Sequence, residues 1–113
     1  MNQLNSVLLE GTLTADPVVV DASISVLGNC YFPIETKHID NKNYVRKMVK
    51  SGFTIEAWNN VASLCKERLK KGMKIRAVGR VRTKQETDNE DLPEFFIEAD
   101  HIEIKQSIND SKS

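Results

Sequence analysis

Apolar residues recur with a period of two along most of the chain, the signature of strands with one buried face. Within Asn5–Thr14, Val7, Leu9, Gly11 and Leu13 share a parity. Asp16-Pro17 marks a turn, and Val18–Val20 begins a short extended piece. Ser23–Lys37 alternates again, with Ile24, Val26, Gly28, Cys30, Phe32 and Ile34 on one face. Pro33 lies on the opposite parity and has no amide to donate, so this strand needs an edge or a bulge there. Asp40-Asn41-Lys42-Asn43 reads as a turn. Val45–Trp58 returns as a long strand, Phe53, Ile55 and Ala57 facing one way and Thr54, Glu56 and Trp58 the other.

The period then changes. Val61, Leu64, Cys65, Arg68 and Leu69 fall at helical spacing, with Asn59 or Asn60 as N-cap and Gly72 as the C-terminal signal. Met73–Gln85 alternates as a strand, and Glu86–Leu92 is a polar acidic loop. Pro93–Lys105 is the last strand, its parity slipping near His101 as a bulge would cause. Phe32, Phe53, Phe95 and Ile97 are the expected aromatic and aliphatic core. The predicted class is mainly β: a five-stranded OB-fold barrel with one helix between strands 3 and 4. Gly11 and Gly79 suit the sharp coiling of a small barrel. An open α+β sandwich has the same element order. Residues 1–105 form the predicted domain, and 106–113 a short polar tail.

At 113 residues and 40% hydrophobic content, the chain holds one core and is too short for two domains. It has no apolar run of the roughly 20 residues a membrane-spanning helix needs. Its start has neither a basic nor an apolar signal region, and Cys30 and Cys65 form no CxxC. Those features predict a cytoplasmic protein without disulfides, membrane contact or zinc. Sixteen cations balance sixteen acids, yet the balance is not local. Lys37–Lys50 carries five cations against Asp40, Lys66–Lys84 nine against Glu67, and Glu86–Ser113 nine acids against two lysines. A polyanion meets that local field, not the sum.

On Met73–Gln85 the polar parity is Lys74, Arg76, Val78, Arg80, Arg82 and Lys84, five cations on one face. Like charges at this spacing repel, and an anion such as a phosphate chain relieves them. A solvated barrel exterior is the plainer account. Arg46, Lys47 and Lys50 form a second basic element, on a hairpin that can close over the same groove. Trp58 and Tyr31 share the outward parity. An outward indole beside cations can stack on a base, worth about 1–3 kcal/mol, or it can pack under the helix. Tyr31 can serve the same role or a subunit contact. No nucleophile motif, phosphate loop or metal-ligand spacing is present, so neither catalysis, cofactor nor metal is expected.

The ordered set of segments resembles bacterial single-stranded DNA-binding proteins of the OB-fold type. The matching stretches are Asn5–Pro17 with its Gly-x-Leu-x-x-Asp-Pro, Gly28–Thr36, Phe53–Thr83 and Phe96–Ala99, together covering roughly residues 4 to 104. The resemblance implies sequence-independent binding of single-stranded DNA in replication, recombination and repair, usually by a homotetramer. It implies a stacking role for Trp58 and phosphate contacts from the hairpin arm and from Arg80, Arg82 and Lys84. Lys74 and Arg76 follow at greater distance from the path.

Where other members carry further aromatics, this chain has Lys37-His38, Gly52 and Gln85-Glu86, which shifts the expected affinity toward electrostatics. The family's flexible tail with an acidic tip, which recruits replication and repair proteins, has no counterpart in Gln106–Ser113. Two rival readings are a primosome-type dimeric OB-fold protein acting chiefly through protein contacts, and an enzyme or small-ligand domain on the same barrel.

Overall fold

The computed structural model describes residues 3–21, 23, 27–83 and 93–106. Its elements are β1 (Val7–Leu13), β2 (Val18–Val19), β3 (Cys30–Asp40), β4 (Lys47–Ala57), α1 (Asn59–Arg68), β5 (Lys74–Thr83) and β6 (Phe95–Gln106). The sheet runs β1-β5-β6-β4-β3-β2, and a β1–β3 pairing closes it. Five strands therefore make a closed barrel, with β2 a two-residue flank on β3 and α1 between the third and fourth barrel strands. This is the OB-fold architecture, and not the open sandwich.

Closure depends on the two glycines. A Cβ on Gly11 would lie 2.8 Å from the Glu35 carbonyl, and one on Gly79 would lie 2.0 Å from that of Glu98. No other residue allows backbones to approach so closely. The bulge falls where the parity slip predicts it, since Val78 pairs His101 and Gly79 pairs Ala99, leaving Asp100 over. Pro33 needs no bulge. Its strand pairs with β4 without a register break, and Pro33 faces the gap where the neighbour of β3 changes from β1 to β2. There its carbonyl accepts the Thr14 amide at 3.2 Å.

The inward parity fills the barrel with Leu13, Phe32, Ile34, Ile55, Ile75 and Ile97. Helix α1 closes one end with Ala62 and Cys65, joined by Leu69 at its C-cap. Cys30 and Cys65 are free, buried thiols in contact across this packing. The Cys65 thiol donates to Cys30, which pushes its own pKa up and lowers that of Cys30.

Several expectations need correction. The second long strand begins at Cys30 rather than Ser23 and extends past Lys37 to Asp40; Ile24 and Val26 lie outside the described residues. The helix N-cap is Trp58, not an asparagine. Asn59 has φ 53°, and its amide is capped across the chain by the Asn29 side chain at 2.9 Å. Phe95 is not core but 44% exposed. It has the inward parity and pairs with Thr83 on β5, but the β4–β6 pairing starts only at Ile55↔Ile97, so its β4 side is left uncovered. The acidic loop Glu86–Leu92, Lys84 and residues 107–113 lie outside the described residues.

Candidate nucleic-acid interface

The outer wall is built from the polar parities of β3, β4, β6 and β5. Register places Tyr31 opposite Glu56, Pro33 opposite Thr54, and Lys37 opposite Lys50. Glu56 adjoins Glu98 on β6, and Glu98 adjoins Arg80 while Phe96 adjoins Arg82. Trp58 continues this face at the end of β4. It is half-buried, with its ring against Gly28, where a Cβ would sit 3.1 Å from the indole. Gly28 has φ 82°, so the loop that seats the indole requires glycine twice over.

The fifth-strand cations do face outward, as their parity predicts, but each arginine has an acid waiting on a neighbouring strand. Arg76 pairs with Glu10 at 2.9 Å. Arg80 pairs with Glu98 at 3.1 Å and Asp100 at 3.5 Å. Arg82 binds the fully buried Glu56, reaches Glu98 at 3.3 Å, and lies over the Phe96 ring at 5.1 Å. That cover helps explain why Phe96 is buried on the outer face. Burial pushes the Glu56 pKa up; the charge of Arg82 and the nearby Trp58 indole pull it back. Glu56 Oε2 has no hydrogen-bond partner in good geometry, so Arg82 is the principal compensation for a buried carboxylate.

The hairpin of β3 and β4 is different. Lys37 and Lys50 stand directly opposite each other, an arrangement that costs stability unless an anion bridges it. Among the described residues, Lys37, Arg46, Lys47 and Lys50 form no ion pair, and at the tip only Lys42 has one, with Asp40 at 3.8 Å. All four are exposed. Tyr44 at the tip is fully exposed, on backbone at φ 63°. Between β1 and β3 a hollow of about 380 Å³ adds Lys74 and Lys105 to Lys37. Lys74 also has no ion pair among the described residues, while Lys105 pairs with Glu103 at 3.7 Å.

The structure thus brings Trp58, Tyr31, Arg80 and Arg82 onto one wall and sets Lys50 on the arm that continues it. Arg76 and Lys74 lie further round, next to β1. Lys37, Tyr44 and Phe95 were not among the sequence candidates. Lys37 was legible from its parity and charge. Nothing in the periodicity marks Tyr44 or Phe95 as exposed.

Such a wall, with aromatic faces and unpaired cations along a projecting arm, suits an extended polyanion whose bases are unstacked. A model of the single-strand binding protein family matches residues 4–104. A search of curated proteins finds no match. Among solved structures, the chain is similar to a Plasmodium falciparum SSB in complex with ssDNA, with TM-score 0.73, 16% identity, and 95% of this chain and 97% of that chain covered. It is also similar to a small single-stranded DNA-binding protein from Streptomyces coelicolor, with TM-score 0.66, 19% identity, and 96% and 97% covered. At these identities the likeness to solved structures shows the fold.

Proposed function

We propose that this chain, which belongs to the single-strand binding protein family, binds single-stranded DNA along the outer wall without reading sequence. The observation that supports the reading is the group of arm cations that have no ion pair among the described residues, above all the facing pair Lys37 and Lys50. Phosphates bind there first, because those charges have no acid partner among the described residues to leave. Trp58 offers a partly open indole to a base, and Tyr31 extends the wall beside it. Arg80 and Arg82 contribute field more than direct grip, since binding a phosphate means sharing with Glu98 and Glu56.

The chemistry is binding without catalysis, and the setting we infer is replication, recombination and repair. Self-association, as a tetramer or else a dimer, has support in β1. Among the described residues that strand meets β3 only at Thr12 and Leu13, so its Val7–Gly11 edge has no described neighbour opposite β5, with Leu8 65% exposed beside it. An open strand edge is a template for another chain. Two free thiols fit a reducing compartment, which supports the cytoplasm.

The test is a titration of the purified protein with single-stranded and duplex oligonucleotides of one sequence, read by Trp58 fluorescence. Tighter binding of the single strand, with quenching, is the expected result. Equal affinity for both forms would remove the single-strand reading, and unchanged emission at saturation would remove Trp58 from the contact.

A further inference from the structure

At the foot of the arm the wall opens into a cleft of about 320 Å³, lined among others by Thr14, Pro33, Thr54, Gly52, Phe53 and Phe95. Three features make it unlike an incidental dent. Phe95 is an aromatic left 44% exposed, held edge-to-face on Phe53 with ring centroids 6.3 Å apart and planes at 68°. Gly52 withholds a side chain where there is room for one: a Cβ there would meet nothing nearer than the Ile34 carbonyl at 4.0 Å. And the cleft lies directly below charge that has no ion pair among the described residues. Glu35 and Gly52 are paired across the hairpin, and Lys37 and Lys50 are the next outward pair up the same strands, about 7 Å away at the strand rise.

The rim fixes which part of a nucleotide enters. Glu35 and Glu94 also line the cleft. Their carboxylates repel phosphate but can accept from the amino groups of bases. A backbone phosphate therefore belongs at Lys37 and Lys50, and the base below it.

We infer that this cleft is a base-binding subsite, taking one unstacked nucleobase of a strand whose phosphate is held by Lys37 and Lys50, with Phe95 as the stacking face. The inference rests on the single-stranded DNA reading above and adds to it a contact distinct from Trp58.

The experiment measures binding of a dT oligonucleotide by anisotropy across a salt series, for the unaltered protein and for Phe95→Ala, Phe95→Tyr and Gly52→Leu. Phe95→Ala should weaken binding at least about five-fold, the lower end of a base-stacking contact. The slope against log salt should not change, because a stacked base releases no counterions. Phe95→Tyr should bind like the unaltered protein. Gly52→Leu, which fills the cleft and leaves both rings in place, should weaken binding as Phe95→Ala does. Thermal melting confirms that each variant is folded, and Phe95→Ala carries the test alone if Gly52→Leu is not. Unchanged affinity in folded Phe95→Ala would overturn the subsite while leaving the parent reading intact. A loss accompanied by a shallower salt slope would overturn it too, by showing that phosphate contacts had been disturbed instead. Failure of the unaltered protein to bind the oligonucleotide would overturn the parent reading and the subsite with it.

Discussion

Strand β5 and the β3–β4 arm are equally rich in cations, yet they hold them in opposite ways. On β5, Arg76, Arg80 and Arg82 are matched to Glu10, Glu98, Asp100 and Glu56 on adjacent strands. On the arm, Lys37 and Lys50 face each other with no acid between them among the described residues. The difference follows from position in the sheet. A strand in the barrel has neighbours on both edges and can receive acids from each. A hairpin that projects past the barrel has only its own partner strand. Charge that is internally matched supports the fold; charge left unmatched is available to a ligand.

The sharpest way to break this contrast is Arg82→Ala. It strips a buried carboxylate of its main partner and should cost about 3 kcal/mol of stability at neutral pH, measured by denaturant or thermal unfolding. The pH dependence has a definite sign. Burial already holds the Glu56 pKa above its ordinary value, and the Arg82 charge is the leading influence in the other direction. Without Arg82 the folded-state pKa rises further. A carboxyl with a raised folded pKa favours folding while it is protonated, and that contribution is lost as pH climbs from its unfolded value through the folded one. The deficit of Arg82→Ala should therefore be full at neutral pH and shrink in acid. A neutral-pH stability equal to that of the unaltered protein would show that β5 charge is not structural.

The arm should respond in the other observable. Lys37→Ala with Lys50→Ala should weaken single-strand binding roughly ten-fold at low salt. It should also flatten the salt dependence by about 1.4, two phosphates at about 0.7 each. Melting should stay level or rise slightly, since opposed like charges are removed. A large drop in melting temperature, or an unaltered salt slope, would contradict the assignment of these lysines to a ligand. Arg76→Ala should have the smallest effect. Its pair with Glu10 is open to solvent, so stability should move by less than about 0.5 kcal/mol, and binding less than two-fold by the same titration. A loss as large as that of the arm lysines would erase the distinction between the two regions.

Much of this molecule was legible in its sequence, because strand and helix periods are local. The alternation of Val7, Leu9 and Leu13, the switch to helical spacing after Trp58, the bulge at His101 and the need for glycine at 11 and 79 all come from steric rules acting within a few residues. They determined the order of the strands, the place of the helix and which side chains take the outward parity, while the β1–β3 pairing decided for a closed barrel over an open sandwich. Helix capping was less legible: Asn59 looks like a cap, but the cap hydrogen bond comes from Asn29, thirty residues earlier. The Phe95 ring has core parity and still lies open, because burial depends on which strand arrives alongside.

The character of the site belongs to tertiary structure for the same reason. Five cations in a row on one strand look like the strongest anion site in the sequence. Folding places Glu10, Glu56, Glu98 and Asp100 beside the arginines among them, whereas on the hairpin Asp40 pairs with Lys42, leaving Lys37 and Lys50 without an acid partner among the described residues. Outward direction is set by a residue's own backbone, so sequence can determine it. Net field is set by the residues that register brings from distant positions, and only the closed sheet decides those.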